Sequence, residues 1–208
     1  MKWIALLTVQ VLAASLSWAE GDIARGKALY ATCVSCHGEQ GSGNVELAAP
    51  NLAHLPAVYV VAQLDKFRAG VRGGPNDSAA ARQMAAMAST LADEQALYDI
   101  AAYVTTLDGP ASAASVSGDV VLGADYYNQF CGACHGAAAQ GNLALNSPPL
   151  AGADDWYLVA QLHAFREGIR GSGPNDKTGR QMRAMAGVLP DDKAIADVVA
   201  YIRTLGSN

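Results

Sequence analysis

The sequence predicts an all-α protein made of one small helical unit written twice, and three observations carry that reading. The first is an internal repeat at an offset of 98, which pairs Pro50 with Pro148, Leu52 with Leu150, Tyr59 with Tyr157, Gln63 with Gln161, Phe67 with Phe165, Arg72 with Arg170, Met84 with Met182, Leu91 with Leu189 and Tyr103 with Tyr201. The second is apolar periodicity at helical spacing in each half, with no alternating strand pattern of any length. The third is cysteine usage: all four cysteines of the 208 residues fall in two pentapeptides, Cys33-Val34-Ser35-Cys36-His37 and Cys131-Gly132-Ala133-Cys134-His135, one per half.

The elements follow in chain order. The opening stretch MKWIALLTVQVLAASLSWAEGD has one lysine, an apolar run from Trp3 to Ala14, and small residues at Ser17 and Ala19. That is the pattern signal peptidase reads, so residues 1–19 are expected to be a signal peptide cleaved after Ala19. Retention as a membrane anchor is the alternative, but the run falls short of the roughly 20 apolar residues a spanning helix needs. A first domain is expected over 20–108. Its first helix leads from Asp22 into the cysteine motif, a middle helix covers about Ala57 to Ala69, and a last helix follows Asp93 with Leu97, Ile100, Ala101, Val104 and Leu107 on one face. Between the halves, DGPASAASVSGDV is rich in Gly, Pro, Ala and Ser and reads as a linker, 109–117. The second domain, 118–208, repeats the scheme from Asp119, with a middle helix from about Asp155 to Glu167 and a last helix carrying Ile195, Val198, Val199, Ile202 and Leu205. The offset is expected to slip only in loops: at GEQGSGNVELAAP, whose Gln-Gly is matched to Gln140-Gly141, and where GGPND becomes GSGPND.

The pentapeptides decide the chemistry. Export permits disulfides, yet two cysteines at i and i+3 on adjacent turns pair awkwardly, and a disulfide has no use for the histidine that follows each time. Zinc ribbons use far shorter spacers than the gap from Cys36 to Cys131, and a thioredoxin-like redox pair needs a βαβ context and one motif. Covalent haem uses every residue. Two sulfurs one helical turn apart add to the two vinyl groups on one porphyrin edge, and the next side chain coordinates the iron through Nε2. Cys33, Cys36 and His37 are therefore assigned to one haem c and Cys131, Cys134 and His135 to a second. A helical unit of about 90 residues has a small core, to which a large buried cofactor adds much.

A sixth iron ligand separates electron transfer from ligand binding. Each half offers two methionines, Met84 and Met87 in ARQMAAMASTL, Met182 and Met185 in GRQMRAMAGVL, which serve as ligands or as core filler. A carbonyl at Pro50 or Pro148 is placed to accept the Nδ1 hydrogen of His37 or His135 and fix the ring. Arg72 and Arg170 recur and either pair with haem propionates or stand as solvated charges at a loop start. Tyr59 and Tyr157, one turn from Gln63 and Gln161, either touch the haem edge or pack between helices. His54 and His163 do not recur at the offset and are read as surface side chains.

With Cys-x-x-Cys-His early, Pro-x-Leu in the middle and Met before a last helix ending in AAYVTTL or VAYIRTL, each half resembles a class I cytochrome c domain, and the tandem resembles the dihaem cytochrome c4 family. The resemblance covers nearly the whole mature chain. It implies that the axial methionine stands seven residues before the leucine that precedes the last helix, which selects Met84 and Met182 over Met87 and Met185. It also implies a periplasmic electron carrier whose two haems lie near each other across the domain boundary.

Charge limits the partners. The whole chain has a formal net charge of −5, carried by 19 acidic and 14 basic residues, so nucleic acid is not an expected partner. Redox proteins are: a quinol-oxidising complex or dehydrogenase on one side and a terminal oxidase or reductase on the other, with room for peripheral association with membrane complexes. Two other classes stand beside the carrier, an electron-entry subunit of a larger complex and a dihaem enzyme of the peroxidase or thiosulfate dehydrogenase type. The enzyme class needs one iron with an open or exchangeable site, whereas both halves keep the same Gln-Met-x-x-Met run.

Overall fold

The structure, a computed structural model, describes residues 20–206, and the expected signal peptide lies outside them. The first half contains α1 (Ile23–Tyr30), α2 (Val34–His37), α3 (Ala57–Arg68), α4 (Ala79–Ala88) and α5 (Glu94–Val104). The second contains α6 (Val120–Tyr126), α7 (Gly132–His135), α8 (Asp155–Arg166), α9 (Lys177–Ala186) and α10 (Asp192–Leu205). Among the described residues there is no strand, only two isolated bridges, Asn44 with Ala49 and Asn142 with Ser147. No helix among them is long and apolar enough to cross a membrane.

Each half is built on the crossing of its first and last helices. Asp22 and Asp119 cap α1 and α6 through their side chains, and their own N–H groups donate to buried carboxylates on the last helices, Asp22 to Asp99 at 2.8 Å and Asp119 to Asp197 at 2.7 Å. Gly26 and Gly123 sit at the crossing point. A Cβ on either would lie 2.0 Å from the carbonyl oxygen of Asp99 or Asp197, so only glycine lets the two backbones approach this closely. Above the crossing lie the cores, with Tyr30, Ile100, Ala101 and Val104 in one half and Tyr127, Ile195, Val198 and Val199 in the other. Tyr30 packs on Tyr103 with ring centroids 5.2 Å apart, and Tyr127 on Tyr201 at 5.5 Å.

The register of the repeat departs from expectation in two places. The loop after each histidine does not slip. Gly43 N–H donates to His37 and Gly141 N–H to His135, while Leu52 reaches Gly41 and Leu150 reaches Ala139. Gly41 thus corresponds to Ala139 rather than to Gly141, and both adopt positive φ, 73° and 55°. A slip occurs instead in the first helix, where none is expected. Tyr127 stands one residue further from its cysteine than Tyr30 does, and the extra residue is taken up as a π-helical turn, Tyr127–Cys131, where the first half has a plain turn. The slip at GSGPND closes at the next helix cap, where Asp176 takes the place of Ser78.

The segment between the halves is irregular but anchored. Asp154 accepts from Ser112 N–H at 2.7 Å, and Asp155 from Ser115 N–H, Ser115 Oγ and Val116 N–H at 2.7 to 3.0 Å. Gly109 is held at the other end by Gln40 and Asn51. Burial pushes the Asp155 carboxyl up, and these donors outweigh it, so its pKa falls below the ordinary carboxylate value.

Candidate functional site

In each half the two cysteines and the histidine share one tight helical turn. Cys33 and Cys131 cap α2 and α7, and each following glycine, Gly38 or Gly136, leaves the turn at positive φ. Its carbonyl then accepts from the core tyrosine, Tyr30 at 3.0 Å and Tyr127 at 2.7 Å. The tyrosine hydroxyl thereby ties the motif to the crossing of the first and last helices.

His37 and His135 are buried, 4% and 5% exposed, and Nδ1 of each lies 2.9 Å from a carbonyl oxygen, of Pro50 and Pro148 respectively. A ring that donates its Nδ1 hydrogen there carries its lone pair on Nε2. Burial pushes both histidines down in pKa, against the upward pull of the proline carbonyls, which keeps the imidazoles neutral at neutral pH. Each is thus a preoriented neutral imidazole with a lone pair free on Nε2.

The donor set fits haem better than its rivals. All four cysteines are free of disulfides. Burial pushes the Cys33 thiol up, and burial with the neighbouring Cys134 pushes Cys131 up to about 11. No three His, Cys, Asp or Glu side chains converge on a metal-sized point among the described residues. Two thiols and one neutral imidazole on a single turn match the covalent attachment of a porphyrin.

The methionine stretches, to which the sequence assigns no element, are the helices α4 and α9. Met84 and Met182 are half-buried alike, while Met87 is half-buried and its counterpart Met185 is 40% exposed. Burial is therefore matched between the halves only at Met84 and Met182.

Arg72 and Arg170 are buried at the boundary between the halves, which corrects their alternative reading as solvated charges. Arg72 stacks on Phe67 and Arg170 on Phe165, with guanidinium carbons 4.3 and 4.2 Å from the ring centroids. Arg72 donates to Gln63 Oε1 at 2.8 Å and across the boundary to Gln161 Oε1 at 3.3 Å and the Tyr157 hydroxyl at 3.4 Å. Arg170 donates to Gln161 and, across the boundary, to Gln63 Oε1 at 3.3 Å. Neither pairs with a carboxylate among the described residues, and Arg72 Nε is buried without an acceptor. Burial and the Arg72 charge together push the Arg170 guanidinium down. Two buried cations that meet side-chain amides, tyrosine hydroxyls and phenylalanine rings but no carboxylate suit an anionic group, and haem brings carboxylates.

Other polar side chains fall elsewhere. His54 is a boundary residue rather than a surface one: Nδ1 lies 3.3 Å from Asn51 Oδ1, and burial, opposed by Asp154, pushes its pKa down to about 4. His163 is half-buried beside Arg166, 3.2 Å away, and near Asp192. The contact of Asn51 with Asp154 was not legible in the sequence. Asn51 N–H donates to Asp154 Oδ2 at 2.7 Å and joins the halves, but the positions do not recur, so the repeat does not flag them.

The cytochrome c family model matches residues 23–108 and again 120–206. The thiosulfate dehydrogenase electron acceptor of Stutzerimonas stutzeri (strain A1501) is 34% identical over 84% of this chain and 79% of its own. Cytochrome c4 of Azotobacter vinelandii is 32% identical over 96% of both chains. Among solved structures, reduced recombinant cytochrome c4 from Pseudomonas stutzeri aligns with a TM-score of 0.68 and 30% identity, covering 88% of this chain and 98% of that one.

Proposed function

Because the chain belongs to the dihaem cytochrome c4 family and carries two covalently bound haem c groups, one per domain, we propose that it shuttles electrons in the periplasm. Electrons enter from a quinol-oxidising complex or a dehydrogenase and leave to a terminal oxidase or reductase. A relative named as the electron acceptor of thiosulfate dehydrogenase supports a dehydrogenase on the donor side. The export pattern of residues 1–19 supports the periplasm.

The haem supplies a reversible one-electron iron couple, and the chain supplies everything that fixes it. Cys33, Cys36, Cys131 and Cys134 hold the two porphyrins. His37 and His135, held in one tautomer by the Pro50 and Pro148 carbonyls, would offer Nε2 to the irons. Met84 and Met182 would supply the remaining iron ligand in each half, as a neutral thioether suits low-spin iron. Arg72 and Arg170 take propionates at the domain boundary, where a buried guanidinium offsets their charge.

The observation that carries this reading is the equality of the two sites: the same histidine-to-carbonyl distance, 2.9 Å, and the same half-burial of Met84 and Met182. An enzyme of the peroxidase or thiosulfate dehydrogenase type needs one accessible iron, and so two unlike sites. The test is steady-state assay of the purified dihaem protein with thiosulfate or hydrogen peroxide. The expected result is no sustained turnover with either, alongside rapid reduction when a thiosulfate dehydrogenase is added with thiosulfate. Sustained turnover by the cytochrome alone overturns the carrier reading.

A further inference from the structure

Lys66, in the last turn of α3, sends its ammonium across the domain boundary. Nζ lies 2.6 Å from Asp176 Oδ1 and 2.8 Å from Thr178 Oγ1, with side chains 18% and 4% exposed for the charged pair. Among the described residues this is the one ion pair that joins the halves. Asp176 is also the cap of α9, where Oδ1 accepts from Gly179 N–H at 2.9 Å. Met182 follows six residues on, about 9 Å along the helix axis.

The contact lies outside the repeat. The positions that correspond to Lys66, Asp176, Thr178 and Gly179 are Ala164, Ser78, Ala80 and Ala81, so four differences between the halves converge on one point. They are physically linked. In the position it holds here the carboxylate at 176 lies against Gly179, where a Cβ would fall 1.9 Å from Asp176 Oδ2, whereas the Ser78 cap of α4 stands beside Ala81. The charge of this buried carboxylate is balanced by a cation, which α3 of the other domain provides. The Met84 helix α4 is capped by Ser78 from within its own half.

We propose that Lys66 is a positioning residue for the second haem's methionine: from the first domain it fixes the N-terminus of α9, and with it the place of Met182. The proposal rests on the reading of Met182 as an axial ligand. Its consequence is a one-way dependence at the methionine helices, in which α9 relies on the docked first domain for its cap while α4 is capped from within its own half.

The test follows the weak far-red sulfur-to-iron absorption band of the oxidised dihaem protein through a guanidinium titration. The band of one haem at a time is isolated in Met84→His, which leaves the second haem's band, and in Met182→His, which leaves the first. Adding Lys66→Met is expected to move loss of the second haem's band to lower denaturant and to leave the first haem's midpoint in place, and Lys66→Arg is expected to restore the midpoint. Equal shifts in the two backgrounds, or none, overturn the proposal. Thr178→Val removes only the 2.8 Å hydrogen bond and decides the matter if Lys66→Met yields no holoprotein: a downward shift confined to the second haem supports the proposal, and its absence overturns it. If Met182→His leaves the wild-type band undiminished, the ligand reading itself has failed before Lys66 is altered.

Discussion

In the first half the chain leaves α1 at Tyr30 and reaches Cys33 by a short turn, whereas in the second it continues from α6 through the π turn Tyr127–Cys131 with one residue more. The end points nevertheless coincide. Tyr30 and Tyr127 both donate to the glycine carbonyl after the histidine, and both histidines meet a proline carbonyl at 2.9 Å. The fold therefore constrains where the cysteine turn sits and leaves the approach to it free. The halves differ again at the far side of the site, where α4 is capped from within and α9 leans on Lys66, and where Arg183 on α9 replaces Ala85.

The equality of the sites is broken most strongly by removing an axial ligand. Met84→Ala and Met182→Ala are each expected to open one iron, so that each reduced variant binds about one carbon monoxide per protein, while Met87→Ala and Met185→Ala bind none. Carbon monoxide uptake by the second pair of variants, with none by the first, would reverse the ligand assignment.

Charge sharpens the comparison with a smaller effect. Met182 has Arg183 beside it, where Met84 has Ala85, and a positive charge near an iron favours the reduced form. One charge about 10 Å away contributes roughly 0.4 kcal/mol with water-like screening and roughly 1.7 kcal/mol at an effective dielectric near 20, or on the order of 20 to 70 mV for one electron. The second haem is expected to have the higher potential. In a redox titration, Met182→His should lower the wave that stands higher in the wild type. If it lowers the other wave, the charge argument fails.

The smallest effect is expected where the approach alone is altered. Deleting Asn128 gives the second half the Tyr-x-x-Cys spacing of the first, and should leave two covalent haems and a stability within about 1 kcal/mol of wild type. The haem content by alkaline pyridine spectrum and the guanidinium midpoint check it. Loss of the second haem would show that the π turn is itself required.

How far these features were legible in the sequence follows from how local each one is. The cysteine turns, the histidines and the helix faces repeat at short spacings, and the caps at Asp22, Asp93, Asp119 and Asp191 lie next to the helices they start. The left-handed turn at Ala139 was hidden, because Gln140-Gly141 copies the letters of Gln40-Gly41 while the backbone conformation belongs to a different residue. Arg72 and Arg170 were visible as a recurring pair, but their burial depends on how the halves dock, which no local pattern encodes. Lys66 and Asp176 stand 110 residues apart and do not recur, so nothing short of the folded chain brings them together.

The central claim is that the two halves hold equivalent, methionine-closed haem irons. It is tested most directly by the absorption spectrum of the oxidised wild-type protein, with the far-red sulfur-to-iron band quantified against total haem. The account predicts one full band contribution per haem, two per protein. A single contribution per protein would mean that one iron lacks methionine, and would contradict it.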